Sequence, residues 1–559
     1  MATKAEPVIN DNDWLISAPG VLMASLLFAA SLTPSLIPRE AAMQGVLAGL
    51  SATLGYAIGA LAMWLWRIML LPEPGERLAP YVRWPLFAIS LAVCMLSLWY
   101  AADWQNATRA VMDLPPVPTA HPLTVSTTAF LVFGFLWLAG SAFLFVTRRA
   151  GRALARILPG RTGPVMGILV AVALSWALID GVLIRNFMEA ADASFEAADL
   201  LIDAETSAPD DPMMTGSSAS LVRWEQLGAN GRDFIASMPS RNEITEFSGD
   251  AAMRPIRVYV GRRSARTARA RAKLALAETI RVGGFDREVL VITTPVGTGW
   301  MDPGSHDALD FMFGGNATQV AVQYSYLISY LSILTHVDYG FDQARALFDV
   351  FYAYWTTLPE DDRPRLYVHG LSQGALNSQA TLPFLDTLGD PPNGALWAGS
   401  PFLSPLWARI RDDRNPESPA WRPRYGNGSL VRVTNQDNVL DEADAPWGPV
   451  RFVFLHYGSD PIVVFDFATI WRAPDWLSEP RAPDVAPQMR WYPAVTAFQI
   501  GLDMLAALNV EGYGHYYVAE DYIDAWAALA DPPGWTEARA DQLKAIFERR
   551  PPSFTLFKK

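Results

Sequence analysis

Long apolar stretches before about residue 190 constrain this chain more than any other feature of its sequence. Each is long enough to cross a bilayer, which takes roughly 20 predominantly apolar helical residues. The stretches are 14–36, 43–71, 84–103, 123–147 and 164–187. Such a succession is hard to bury in a soluble protein, so we expect residues 1–188 to form a transmembrane domain of about five α-helical spans. Pro34 and Pro38 favour an early end, or a turn at the interface, for the first of them.

The arginines between these stretches predict the orientation of the chain, because cytoplasmic loops carry an excess of Lys and Arg. The loop of residues 104–122 holds a single arginine, Arg109. The connection after the fourth stretch is rich in arginine and has no acidic residue: Arg148, Arg149, Arg152, Arg156 and Arg161. With five spans, the chain beyond about residue 188 is then expected to lie outside the cytoplasm.

Charge and cysteine content exclude several kinds of partner. The formal net charge is −13, whereas nucleic-acid binding needs a basic surface. Cys94 is the single cysteine, so the chain has neither an internal disulfide nor a cysteine-based zinc site. His and Cys pairs at metal-ligand spacing are also missing from the sequence. We therefore expect no nucleic acid, metal or cofactor as a partner, and the sequence leaves the oligomeric state open.

The pattern changes after the apolar stretches. Residues 189–250 predict an acidic helical linker, since acidic residues recur there at helical spacing. Residues 251–559 predict a catalytic domain in which strands alternate with helices, which is typical of a mostly parallel sheet with helices on both faces. The predicted strands are Ile256–Val260, Val289–Thr293, Val320–Tyr324, Leu366–Val368, Leu430–Val433 and Arg451–Tyr457. The predicted helices are 264–282, 305–313, 341–356 and 518–530.

Ser372 is the predicted nucleophile. Residues 366–375 read Leu-Tyr-Val-His-Gly-Leu-Ser-Gln-Gly-Ala, in which an apolar strand runs into Gly-x-Ser-x-Gly and a helix-like segment follows. This is the strand–turn–helix context of a nucleophile elbow. Glycine is needed beside the serine because the turn is too tight for side chains. The five-residue pattern alone is weak, but this context makes it specific.

His515 and Asp460 are the predicted partners of the serine, because acid and then histidine follow such an elbow in chain order. Only two histidines come after Ser372, and His456 falls inside a predicted strand, whereas His515 lies in a glycine-rich loop. Asp460 directly follows the best late strand and would fix the tautomer of the histidine. Asp437, after an earlier strand, is the alternative acid.

Two backbone N–H groups should form the oxyanion hole. One is expected from Gln373, the residue after the nucleophile, and the other from the loop after the strand Val289–Thr293. We choose Thr298 for the second donor, with Gly297 and Gly299 as near alternatives. Together with these two glycines, Trp300 is expected to contact substrate, and Trp300 could wall an acyl pocket, although a buried tryptophan is more often plain core.

The chain resembles the bacterial membrane-attached α/β-hydrolases, which join an N-terminal multi-span region to a C-terminal serine-hydrolase domain. The residues that carry this resemblance in the membrane part are Ser31-Leu32-Thr33-Pro34-Ser35-Leu36 and Gly55-Tyr56-Ala57-Ile58-Gly59. Those in the catalytic part are Arg257-Val258-Tyr259-Val260-Gly261, Gly297-Thr298-Gly299-Trp300, Gln323-Tyr324-Ser325-Tyr326-Leu327, Ser459-Asp460-Pro461 and Gly514-His515. The resemblance implies an α/β-hydrolase fold, a serine-hydrolase mechanism and a bacterial inner or plasma membrane location. It supplies no substrate.

The sequence departs from this family at two places. The residue before Ser372 is a leucine where we expect an acid, and Asn316 stands where we expect Asp. Neither position has a role in the triad, but both bear on the polarity of the pocket.

Three functions fit these observations. The first is hydrolysis of an ester, with a lipid-like or acylated envelope compound as the substrate and membrane lipids as neighbours. An acyltransferase with the same triad is the closest alternative, and sequence does not separate the two. A non-catalytic membrane scaffold is the third, and it predicts that Ser372→Ala leaves function intact.

One basic segment remains outside this scheme. The predicted helix 264–282 and the residues before it are rich in basic side chains: Arg262, Arg263, Arg266, Arg269, Arg271 and Lys273. Most runs of this kind are solvated helix faces. The alternative interpretation is contact with anionic lipid headgroups.

Overall fold

The helices and strands of the protein fall into two compact units. The computed structural model describes residues 17–75, 77–156, 162–201, 207–327 and 329–551. The first unit contains the described residues up to Ile184 together with Phe465–Ala506. The second contains Arg185–Val464 and the described residues from Ala507 onward. Phe465–Ala506, which the sequence assigned to the domain of residues 251–559, thus clusters with the N-terminal helices.

The first unit is helical. Its N-terminal helices are α1 (Ala18–Ser31), α2 (Ala41–Ile68), α3 (Ala79–Ala110), α4 (Pro122–Leu154) and α5 (Thr162–Leu178). Among the described residues, α2, α3 and α4 are the three helices long and apolar enough to cross a membrane. The 14 residues of α1 rise only ~21 Å, short of a hydrocarbon core of about 30 Å, and α5 has 17 residues. Three of the five predicted stretches therefore hold helices of spanning length, whereas the first and fifth hold shorter ones.

Glycines bring α1 and α2 close together. A Cβ on Gly59 would lie 2.6 Å from the carbonyl oxygen of Pro19, and one on Gly55 would collide with the carbonyl oxygen of Met23. These two glycines are four residues apart and share one face of α2, as in other close helix pairs of membrane proteins. The segment Gly55-Tyr56-Ala57-Ile58-Gly59 thus has a packing role.

The second unit contains a seven-stranded sheet in the order β1-β3-β2-β4-β5-β7-β6, and every pair is parallel. Its strands are β1 (Ile256–Val260), β2 (Val289–Thr294), β3 (Ala317–Val322), β4 (Arg365–Leu371), β5 (Gly394–Ala398), β6 (Val431–Thr434) and β7 (Arg451–Leu455). The predicted α/β fold with a parallel sheet is therefore confirmed. The predicted strand Val320–Tyr324 is wrong in its bounds, because β3 begins at Ala317 and ends at Val322. His456 follows β7 instead of lying inside it.

Helices surround this sheet. In chain order after α5 the helices are α6 (Arg185–Leu200), α7 (Ala229–Ala236), α8 (Arg241–Ser248), α9 (Ala268–Arg281), α10 (Pro303–Met312), α11 (Ser329–Trp355), α12 (Gln373–Thr381), α13 (Pro405–Asp412), α14 (Pro461–Val464), α15 (Val495–Ala506), α16 (Ala519–Ala530) and α17 (Glu537–Phe547). Of these, α15 belongs to the first unit and the others belong to the second. The strands are buried along almost their whole length, as expected for a sheet covered on both faces.

A buried ion network joins β1 to α10. The guanidinium of Arg257 donates to Asp310 at 3.0 and 2.7 Å and to Asp307 at 2.5 Å. Gln319 of β3 donates to the second carboxylate oxygen of Asp310 at 2.8 Å. Burial raises the pKa of Asp310 to about 6, although the charge of Arg257 acts in the opposite direction. Asp310 therefore depends on Arg257 for its counter-charge, whereas Asp307 also pairs with Arg550 at 2.7 Å.

The segment Phe465–Ala506 is anchored within the first unit by a second buried ion pair. Arg39, which precedes α2, donates to Asp503 of α15 at 2.6 Å, and the side chains of both residues are at most 1% exposed. The backbone N–H of Leu36 donates to the same carboxylate at 3.1 Å. The carboxylate therefore has both a charged and a neutral donor, which a buried charge requires.

Candidate active site

Ser372 occupies a strained turn between β4 and α12. Its φ is 54° and its ψ is −125°, a conformation that residues other than glycine rarely adopt. A Cβ on Gly370 would lie 2.5 Å from the carbonyl carbon of Gly374, and a Cβ on Gly374 would collide with the carbonyl oxygen of Thr294. The two glycines are thus required by the tightness of the turn, which presents the serine at the carboxyl edge of the sheet.

His515 and Asp460 form a buried pair. The distance from His515 Nδ1 to Asp460 Oδ2 is 2.6 Å, and the side chains are 6% and 0% exposed. The other oxygen of Asp460 accepts the N–H of Ile462 at 2.9 Å, at the start of α14. Because an ionised carboxylate is an acceptor only, it fixes the proton of the imidazole on Nδ1 and leaves Nε2 free to accept another.

The end of β5 contacts both the turn that holds Ser372 and the imidazole of His515. The N–H of Ser372 donates to the carbonyl of Ala398 at 3.0 Å. A Cβ on the next residue, Gly399, would lie 2.5 Å from Cε1 of the His515 ring. Within the part of the chain that the structure describes, the buried Nε2 of His515 has no hydrogen-bond partner. Bonds between nucleophile and base are often long before substrate binds, so this unpaired nitrogen is compatible with a base that acts on Ser372.

Hydrogen bonds from two consecutive backbone N–H groups fix the loop that carries His515. The N–H of His515 donates to the carbonyl of Ala507 at 2.8 Å, and the N–H of Gly514 donates to Ser459 Oγ at 2.9 Å. Helix α16 then begins at Ala519, where the sequence predicts a helix. The hydroxyl next to the acid therefore also positions the base.

Gln373 begins α12 and is fully buried, at the helix end where the dipole favours negative charge. The loop after β2 is a closed turn in which the N–H of Val296 donates to Trp300 and that of Gly299 to Val296. The carbonyl of Thr298 accepts from the side chains of Asn230 and Gln323, each at 3.0 Å. The elbow itself packs against the end of β2, because a Cβ on Gly374 would collide with the carbonyl oxygen of Thr294.

The predicted substrate residues of this loop line little space. Gly299 has a φ of 89°, and its carbonyl accepts from the hydroxyl of Tyr259 at 2.8 Å. Trp300 borders a cavity of only about 10 Å³, which also touches His306 and His369. That volume fits a water-sized group and is too small for an acyl chain. Gly297 lies in the same turn.

Comparison with known proteins agrees with the fold. Residues 256–543 match the alpha/beta-hydrolase family, and residues 32–239 match the N-terminal region described for the alpha/beta-hydrolase family. The chain belongs to the α/β-hydrolase family. No curated protein and no solved structure matches it. For this α/β-hydrolase, membership indicates a hydrolase-like function.

The two alternative residues in this α/β-hydrolase, His456 and Asp437, have surroundings different from those of His515 and Asp460. His456 Nε2 accepts the N–H of Ser400 at 3.0 Å, and the ring packs edge-on against Trp407. Burial lowers the pKa of His456 well below its usual range, so this imidazole is neutral. Asp437 is exposed, and no hydrogen bond among the described residues joins its carboxylate to His515.

Tyr517 is a site residue that the sequence analysis missed. Its hydroxyl donates to Asp460 Oδ2 at 2.7 Å, the oxygen that also faces His515. Burial, and then the charge of Asp460, raise the pKa of Tyr517 well above its usual range, so the phenol stays a donor. A tyrosine two residues after the histidine carries no sequence signal of this role, and neither does Gly399 beneath the ring.

We expect Tyr517→Phe to destabilise the α/β-hydrolase by about 1.5–3 kcal/mol, the usual contribution of a hydrogen bond to a charged group. The carboxylate of Asp460 is fully buried and would lose one of its four donors. The melting temperature of the purified protein measures this. Tyr354→Phe is the control, since no hydrogen bond of the Tyr354 hydroxyl occurs among the described residues. Equal melting temperatures for the two variants would contradict the prediction.

Proposed function

We propose that this α/β-hydrolase is a membrane-embedded serine hydrolase that cleaves esters, with Ser372, His515 and Asp460 as its catalytic triad. The observation that carries the proposal is the buried pair of His515 and Asp460, 2.6 Å apart, beside a serine in a strained glycine-flanked turn. Family membership supports the hydrolase class, and the side-chain geometry supports the choice of residues.

In the proposed mechanism, Ser372 Oγ attacks the ester carbonyl while His515 Nε2 takes its proton. Asp460 holds the tautomer and stabilises the imidazolium that forms. The leaving alcohol receives that proton when the ester C–O bond breaks, and an acyl-serine remains. A water molecule then gives one proton to His515 and attacks the acyl carbon. His515 passes that proton to Ser372 Oγ as the acyl C–O bond breaks, which releases the carboxylic acid and restores the serine.

The negative charge on the carbonyl oxygen needs donors in both steps. We assign one to the N–H of Gln373, because it begins α12 directly after the nucleophile. For the second we keep Thr298, with Gly297 as the alternative in the same turn, because the N–H of Gly299 already donates to the carbonyl of Val296 at 2.8 Å. The polar contacts of the Thr298 carbonyl hold this turn in one conformation, which is what a preorganised donor requires.

We propose a lipid-like or acylated envelope ester as the substrate and an extracytoplasmic catalytic domain in a bacterial membrane. The three helices of spanning length support membrane association, so a substrate with an acyl chain would be concentrated beside the enzyme. The orientation rests on the arginines after the fourth apolar stretch and on a crossing by the fifth stretch, whose helix α5 continues directly into the helical residues Ile179–Ile184.

A serine-directed fluorophosphonate tests the nucleophile on the full-length protein in detergent. We expect wild type to be labelled and Ser372→Ala to lose the label completely, because the phosphonate bonds to the activated oxygen. Ser378→Ala is the matched control: it lies on the same helix, and its hydroxyl bonds to Ala375 and Trp397. It should remain labelled. Persistent labelling of Ser372→Ala would remove Ser372 from the mechanism.

A further inference from the structure

A basic cavity of about 750 Å³ opens at the carboxyl ends of β1 and β3. Its lining is Arg262, Arg263, Ser264, Ala265, Arg266, Thr267, Ala268, Arg271, Tyr324, Tyr326, Tyr339 and Asp342. Four of these residues are arginines and one is an aspartate. The cavity therefore carries a local excess of positive charge in a chain whose net charge is −13.

Two of the four arginines are held in place by the protein. Arg271 is buried, and its guanidinium donates to Gln343 at 2.8 Å and to the carbonyl of Ala265 at 3.0 Å. The guanidinium of Arg262 lies 4.9 Å from the centre of the Tyr326 ring. Holding these side chains in place without a ligand lowers the entropy that a ligand would lose on binding.

The other two arginines reach into solvent. Arg263 is exposed and lies 3.9 Å from Glu196, a distance at which a surface ion pair contributes little. Arg266 is exposed, and among the described residues it forms no salt bridge. Both guanidinium groups are thus available to an anion.

A helix contributes a further positive charge. Thr267 and Ala268, which line the cavity, begin the 14-residue helix α9. The first N–H groups of a helix attract anions through the helix dipole. Thr267 caps the N–H of Ala270, so the first turn is formed before any ligand binds. The first turn of α9, which corresponds to the predicted basic helix 264–282, therefore lies at the cavity.

We propose that this cavity binds a phosphate monoester group, which comes from either a soluble phosphoester or the headgroup of an anionic lipid. A dianion with several oxygens suits four guanidinium groups and a helix N-terminus, because arginine binds phosphate with two parallel hydrogen bonds. Ligands of open α/β sheets bind at the carboxyl ends of the strands, where this cavity lies. The proposal does not depend on the triad.

Calorimetric titration of the full-length protein in a neutral detergent tests it, with inorganic phosphate and dihexanoylphosphatidic acid as probes. We expect saturable binding that Arg266→Ala weakens about tenfold, because one charge-assisted contact is lost. Arg269→Ala is the matched control, since Arg269 is an exposed arginine three residues later, in the first turn of α9, that does not line the cavity.

The two probes distinguish the sources of the phosphate. Phosphate binding that is as tight as that of the lipid, or tighter, would assign the site to a soluble phosphoester. Tighter binding of the lipid, with the same loss in Arg266→Ala, would assign it to a headgroup. The proposal is overturned if neither probe saturates, or if Arg269→Ala weakens binding as much as Arg266→Ala.

Discussion

Replacing Asp460 by asparagine is expected to lower kcat for ester hydrolysis by about 10⁴-fold while the protein stays folded. Asparagine fills the same space, but its amide can donate to Nδ1 of His515 and so favour the tautomer with its proton on Nε2. That nitrogen could then no longer accept the proton of Ser372. The measurement is the hydrolysis of a p-nitrophenyl ester by the full-length protein in detergent.

Asp437→Asn is the control for this prediction, because Asp437 is the other acid that follows a late strand and is exposed. We expect its kcat to equal that of wild type. A large loss in Asp437→Asn with an active Asp460→Asn would exchange the roles of the two residues.

The second large effect concerns stability. Arg257→Met is expected to destabilise the second unit by about 3–5 kcal/mol, the typical result of removing one partner from a buried ion pair. Asp310 would lose its cation and Asp307 would retain only Arg550, and the side chains of both acids are at most 4% exposed. The melting temperature of the purified protein measures the loss. Arg409→Met removes an exposed pair with Asp413 and should have little effect.

Lowering the pH should partly restore the Arg257→Met variant. The pKa of Asp310 in wild type is raised to about 6 by burial, and without the opposing charge of Arg257 it should rise further. A carboxyl whose pKa is raised on folding stabilises the folded state when protonated, and this contribution disappears as the pH rises through the raised value. The difference in melting temperature from wild type should therefore shrink between about pH 7.5 and pH 5.5. An equal difference at both pH values would contradict this.

The features that sequence predicted well are local. The strand–turn–helix around Ser372 follows from consecutive residues, because the glycines that the turn needs are within two positions of the serine. The strand at Ile256–Val260 was predicted with its observed bounds, since five residues buried on both faces form a continuous apolar pattern apart from Arg257. That arginine is itself buried through partners on α10, which the strand pattern does not show.

The features that sequence missed depend on contacts between distant residues. Tyr517 reaches Asp460 only because β7 and the loop before α16 meet, and Gly399 lies beneath the imidazole only because β5 pairs with β4. Similarly, Asp503 meets Arg39 across 464 positions of sequence. Neither residue type nor spacing within the segment Phe465–Ala506 indicates that it packs with helices from the other end of the chain.

This segment has a practical consequence for anyone who wants to express the second unit by itself. It is inserted between the two halves of the His515–Asp460 pair, yet its Asp503 is neutralised by Arg39 near the N-terminus. A protein shortened to begin at residue 185 would keep the insertion and lose its counter-charge. Expression of the second unit by itself therefore requires two changes: a start at residue 185, and replacement of Phe465–Ala506 by a linker that joins Val464 to Ala507.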